Sequence, residues 1–175
     1  MVNIYLYKGI SEDESLNIAE DVIAENFPQL DQIVFARGEK GKPYVANADN
    51  VFFNISHSGD YLAVAVADCQ VGVDIEKRKN ANIGIAKRFF TEEEFDYISF
   101  DNDKFFEIWT LKESYVKYLG CGISGGLNTF SVVRDGEIKE NIGECNLYKY
   151  TIEEYNIALC CEGKQKINII EVEDE

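Results

Sequence analysis

Two strand-like runs lie three residues apart near the middle of the chain, and they constrain the fold more than any other feature. Residues 61–67 (YLAVAVA) are apolar throughout, and residues 71–76 (VGVDIE) alternate apolar with small or acidic positions. Runs of this length and composition favour extended backbone. With only residues 68–70 between them, they read as a hairpin. The flanking patterns then fall into two similar series. Before the hairpin, residues 3–7 (NIYLY) form a short strand. Ser11 and Glu14 make a capping-box pattern, and Leu16, Ala19, Ile23 and Phe27 follow at helical spacing up to Pro28. Residues 51–55 make a further strand. After the hairpin, residues 83–90 read as a helix, and Thr91 with Glu94 caps another through Phe95 and Ile98. The strongest helix covers 104–119, where Ile108, Leu111, Tyr115, Tyr118 and Leu119 make one apolar stripe and Gly120 supplies the stop. Strands are expected at 129–133, 146–151, 155–160 and 166–172, with the final EVEDE as a solvated tail. The order strand, loop, helix, strands thus occurs twice, with VGVDIE matching NIYLY. This predicts an α+β fold of two similar halves, 1–70 and 71–175, packed tightly around a cleft.

Charge and cysteine usage narrow the function classes. Against 17 Lys and Arg stand 32 Asp and Glu, a formal charge of −15. Such a surface argues against general affinity for nucleic acid or anionic membranes, so a phosphate site must be a local basic patch. No apolar run reaches membrane-spanning length, and the acidic N-terminal stretch lacks the pattern of a signal peptide. The single histidine rules out a His-rich metal site. The five cysteines have no CxxC spacing and read as buried free thiols in a reducing cytosol.

Four segments hold candidate chemistry. In 71–76, alternate side chains share a face, so Val71, Val73 and Ile75 turn to the core while Asp74 and Glu76 project together. Either this is an ordinary half-exposed strand, or the two carboxylates suit a hard divalent cation. In 109–120 (WTLKESYVKYLG), Trp109, Glu113 and Lys117 recur every four residues on a stripe apart from the core. They are either a surface pair or a third carboxylate with a lysine for a phosphate. In 37–44 (RGEKGKPY), Arg37, Lys40 and Lys42 with their glycines make either a plain basic turn or an anion cradle. In 54–61 (NISHSGDY), Ser56, His57 and Ser58 form a polar turn between strands, where phosphate contact is more natural than a Ser–His dyad.

The order of GKP (41–43), FNISHSG (53–59), GVDIE (72–76), RFFTEEE (88–94) and WTLKESYVKYLG (109–120) resembles the 4′-phosphopantetheinyl transferases of the surfactin-synthetase-activating type. The resemblance covers about residues 41–131. It implies a pseudo-dimeric, cytoplasmic, monomeric enzyme with coenzyme A in the cleft. The implied reaction moves the phosphopantetheine arm onto a serine of an apo acyl, peptidyl or polyketide carrier protein and releases adenosine 3′,5′-bisphosphate. Carried over by motif, Asp74, Glu76 and Glu113 are the Mg²⁺ ligands. Glu113 is also the base and Lys117 a phosphate partner. Lys42, Ser56 and His57 hold coenzyme A phosphates, and Pro43 meets the adenine. Lys112 and Glu94 match family positions, the latter with an adequate role in its capping box. Residues 120–131 match the region that meets the carrier. One departure stands out. Residues 1–36 carry a single cation, Lys8, against seven acids, which leaves the 3′-phosphate to Arg37, Lys40, Lys42 and His57. A Mg²⁺-dependent pyrophosphate hydrolase would use the same carboxylates, and a non-catalytic acidic binding module would leave Glu113 and Lys117 as a plain pair.

Overall fold

The computed structural model describes residues 1–122 and 126–172. In chain order the elements are β1 (Val2–Lys8), α1 (Ser15–Asn26), β2 (Phe35–Arg37), β3 (Pro43–Val45), β4 (Phe52–Ser58), β5 (Tyr61–Ala67), β6 (Val71–Lys77), α2 (Ile83–Phe89), α3 (Glu92–Ile98) and α4 (Asn102–Leu119). The short strands β7 (Val133–Arg134), β8 (Glu137–Ile138) and β9 (Asn141–Ile142) follow, then β10 (Cys145–Ile152), β11 (Tyr155–Glu162) and β12 (Ile167–Val172).

Two four-stranded sheets, ordered β12-β1-β5-β4 and β6-β11-β10-β9, stack in the middle of the molecule. The alternation of β5 shows why. Leu62, Val64 and Val66 face outward against Ala19, Val22 and Ile23 of α1. Ala63, Ala65 and Ala67 face inward, against a layer built from Val71, Val73 and Ile75 of β6 and Ile157 and Leu159 of β11. The small alanines let the second sheet approach closely. On the far side, Phe105, Ile108 and Leu111 of α4 pack over the second sheet with α2 and α3. Each fully buried Ile or Leu here contributes about 1.5–3 kcal/mol. The layers therefore run helix, sheet, sheet, helices.

Several expectations are corrected. Residues 61–67 and 71–76 do not form a hairpin. β5 pairs with β1 and β4, while β6 pairs with β11, so residues 68–70 carry the chain from one sheet to the other. Ser56, His57 and Ser58 lie in strand, not in a turn, because β4 runs to Ser58. Residues 127–129 form a 3₁₀ turn, and strand resumes only at Val133. Leu119, counted with the core stripe, is 48% exposed. The strand expected at 166–172 forms and takes in Glu171 and Val172 from the expected tail, which pair with Leu6 and Tyr7, and residues 173–175 lie outside the described ones. β12 thus completes the sheet of the N-terminal segment with C-terminal residues.

Along one side of this stack, inward side chains of β4 reach the free edge of β6 and form a ladder. β6 uses one edge for β11, which leaves the N–H groups of its other edge needing partners. Asn54, Ser56 and Ser58 on β4 supply them. Val73 N donates to Asn54 Oδ1 at 2.8 Å, Ile75 N to Ser56 Oγ at 3.1 Å and Lys77 N to Ser58 Oγ at 3.1 Å. The period of two along both strands makes every second residue of β4 part of this seam.

Candidate active site

The inward residues of β6 go to the apolar layer, so Gly72, Asp74 and Glu76 must face α4. At Gly72 the helix backbone comes so close that an added Cβ would collide with Ser114 O and Tyr118 N. Only glycine permits that approach. It brings the Trp109, Glu113 and Lys117 stripe onto the Asp74 and Glu76 face. The capping of α4 fixes its ends: the Asp101 side chain accepts from Asp103 N and Lys104 N, and Gly120 closes the helix at φ +68°. The acidic face of β6 is therefore not half-exposed. Asp74 is 3% and Glu113 7% exposed.

Within this seam Ser56 Oγ donates to Asp74 Oδ1 at 2.9 Å, and Lys117 Nζ donates to Asp74 Oδ1 at 2.6 Å and to Ser56 Oγ at 2.7 Å. Glu76 accepts from Trp109 Nε1 at 3.2 Å and from Ser58 Oγ at 3.3 Å. Asp74 Oδ2 and Glu113 Oε1 are buried with no hydrogen-bond partner among the described residues. Two orphaned carboxylate oxygens in one seam are costly unless something positive meets them. Their ionisation reflects it. Burial, then the charges of Asp74 and Glu76 offset in part by Lys117, pushes Glu113 up from an ordinary 4.5 to about 7. Burial also raises Asp74, against the pull of Lys117 and Ser56, and raises Glu76 with help from Asp74.

These donors are of the type a hard cation takes, because Asp74 and Glu76 lie near enough to act on the charge of Glu113, and Asp74 Oδ2 and Glu113 Oε1 have no hydrogen-bond partner among the described residues. The ligand set is not preassembled, since no group of three His, Cys, Asp or Glu side chains stands at metal-holding separation among the described residues. Lys117 lies on Asp74 instead.

The other expected residues divide. Ser56 is in the seam, but His57 falls on the opposite face of β4, with Phe53 and Ile55. Arg37 Nη1 spans the β2–β3 turn to Gly41 O at 2.9 Å and remains exposed, as does Lys40. Lys42 turns inward, and its Nζ donates to Val71 O at 3.0 Å, Lys117 O at 2.6 Å and Tyr118 O at 3.4 Å. Burial pulls Lys42 down to about 8. Its ammonium thus closes the C-terminal end of α4 onto the start of β6 and is not free for a phosphate in this arrangement. The cause is the concentration of orphan carbonyls at a helix end. Beside it, Pro43, Tyr44, Val51, Phe52 and Val71 help line a cavity of about 340 Å³.

Sequence reasoning missed one buried ion pair. Lys112 Nζ donates to Glu94 Oε1 and Oε2 at 2.8 and 2.7 Å and to Phe130 O at 2.7 Å, with both side chains fully buried. Glu94 accepts in addition from Thr91 N and Val132 N. It keeps its capping box and also ties α3, α4 and residues 130–132 together. The stretch expected to meet the carrier, 120–131, includes residues 123–125, which lie outside the described ones.

Comparison with known proteins identifies the family. The profile of the 4′-phosphopantetheinyl transferase superfamily matches residues 70–160, and a profile of the 4′-phosphopantetheinyl transferase N-terminal region matches residues 18–69. The chain is 34% identical over 155 residues to 4′-phosphopantetheinyl transferase psf-1 of Bacillus pumilus, covering 82% of this chain and 66% of that one. It is 38% identical over 157 residues to 4′-phosphopantetheinyl transferase ffp of Bacillus subtilis, covering 82% and 70%. It is also 38% identical over 112 residues to the mouse L-aminoadipate-semialdehyde dehydrogenase-phosphopantetheinyl transferase, covering 53% and 36%. The chain thus spans 66–70% of the length of the two Bacillus relatives. On this evidence the chain belongs to the 4′-phosphopantetheinyl transferase superfamily.

Proposed function

We propose that this chain transfers the 4′-phosphopantetheine arm of coenzyme A to a serine of an apo carrier protein, with Asp74, Glu76 and Glu113 as the ligands of Mg²⁺. The observation that carries the site assignment is the pair of orphaned oxygens, Asp74 Oδ2 and Glu113 Oε1. A metal bound there would neutralise the coenzyme A pyrophosphate and stabilise the leaving phosphate.

The chain's own groups have the remaining tasks. Glu113, on α4 beside Asp74 and Glu76, is the carboxylate assigned to take the hydroxyl proton. The carrier serine oxygen bonds to the phosphorus that bears the pantetheine arm, and the pyrophosphate P–O bond to adenosine 3′,5′-bisphosphate breaks. The serine proton goes to Glu113, directly or through one water. Lys117 lies one turn along α4 to hold the leaving phosphate. The cavity of about 340 Å³ beside Pro43 has the apolar wall a nucleobase needs. Arg37 and Lys40, exposed on the β2–β3 turn, are the cations left for the 3′-phosphate.

The pseudo-dimer reading, with halves 1–70 and 71–175, is supported by two sheets, each covered by helix on its outer face, with β12 of the second half crossing to complete the sheet of the first. Coenzyme A would then lie along the β4–β6 seam. The reading is tested by incubating the protein with coenzyme A and a panel of apo carriers, with Mg²⁺ or with chelator, and measuring intact carrier mass. Gain of one phosphopantetheine only with Mg²⁺ supports it. Coenzyme A cleavage without any carrier gain would favour a pyrophosphate hydrolase instead.

A further inference from the structure

The seam holds three carboxylates and one ammonium. Among the described residues, Lys117 is the cation whose charge acts on Asp74, Glu76 and Glu113 together. Its Nζ sits 2.6 Å from Asp74 Oδ1 and 2.7 Å from Ser56 Oγ, so it stands on the very carboxylate that the metal needs. The absence of a preassembled three-ligand group among the described residues fits this occupancy.

We infer that Lys117 is a two-position residue: in the metal-free protein it is the resident counter-ion of Asp74, and metal binding drives it off towards the substrate phosphates. This rests on the metal reading above. The stem of Lys117 leaves α4 on the same stripe as Glu113, and its side chain is partly exposed, 28%, so the ammonium has room to turn outward. Its backbone is held meanwhile, because Lys117 O accepts from Lys42 Nζ. A rigid base with a movable tip is what such an exchange needs. Two consequences follow. Lys117 competes with the divalent ion when no coenzyme A is present, and it helps hold the nucleotide only after the ion has arrived. Metal and coenzyme A binding are then mutually reinforcing through this side chain.

The test is calorimetric titration with Mn²⁺ alone, in the absence of coenzyme A, of wild type, Lys117→Gln and Lys117→Met. Gln keeps a donor for Asp74 and Ser56 without the charge. The expected result is metal binding about tenfold tighter in both variants, within the usual range of coupling between sites. Coenzyme A should raise Mn²⁺ affinity less in the variants than in wild type. Folded variants that bind Mn²⁺ no tighter than wild type overturn the inference. The wild-type protein gives an independent readout that needs no variant to fold. The Lys117 ¹⁵Nζ resonance, protected while it bridges Asp74 and Ser56, should shift and lose protection on Mg²⁺ saturation, and an unmoved resonance in a protein that binds Mg²⁺ overturns the exchange. A wild type that binds neither metal, even with coenzyme A, overturns the metal reading itself and this inference with it.

Discussion

Glu113 combines two demands that conflict in the metal-free protein. Its pKa rises from 4.5 to about 7, so between those values the folded protein holds a proton that the unfolded chain has released. The folded state then binds more protons, and stability falls as pH rises through this window. The span corresponds to about 3 kcal/mol at full effect. Urea unfolding in chelator should therefore show Glu113→Gln close to wild type at about pH 4 and more stable, by up to about 3 kcal/mol, at about pH 8. Identical curves at both pH values would show that Glu113 ionises normally. The Lys112–Glu94 pair presents the opposite case, because here both charges are met. Lys112→Met should cost about 3–5 kcal/mol by stranding Glu94, and adding Glu94→Gln should recover part of the loss. Thermal melts of the single and double variants check this.

At the scale of elements, the site depends on how closely α4 lies on β6. Gly72→Ala puts a Cβ into backbone atoms of Ser114 and Tyr118, which cannot rotate away. The cost should reach or pass the upper end of about 1–3 kcal/mol for overpacking, with loss of Mg²⁺ binding as Glu113 is levered from Asp74. A stable variant with unchanged metal affinity would contradict the account of this contact. The same elements show what the sequence made legible. The period of two in VGVDIE and the four-residue repeat of Trp109, Glu113 and Lys117 are local patterns, and local patterns specify which side chains share a face. Ser56, His57 and Ser58 lack the apolar character that marks a strand, so local pattern alone favours a turn there. What makes them strand is backbone pairing with β5, and the use for their polar side chains lies in the N–H groups of β6, some nineteen residues away in sequence. Lys42 belongs to the same class. Its partners at Lys117 and Tyr118 are 75 and 76 residues off, and no local rule distinguishes a lysine that closes a helix end from one that awaits a phosphate.

For the whole molecule, the seam between β4 and β6 is both a structural joint and the floor of the site. Asn54→Ala would leave Val73 N–H buried without a partner, at about 1–3 kcal/mol. Because the seam joins the two sheets, that variant should also lower the urea m-value or unfold in more than one step, which hydrogen exchange on β1 and β11 would resolve. The same joint supports Asp74 through Ser56, so chemistry and the union of the sheets rely on one row of side chains. The most direct measurement of the central claim is carrier modification by Glu113→Gln at saturating Mg²⁺ and coenzyme A, followed by intact mass. The account predicts a fall of at least about 10²-fold in turnover with the fold intact. Turnover near that of wild type would contradict it.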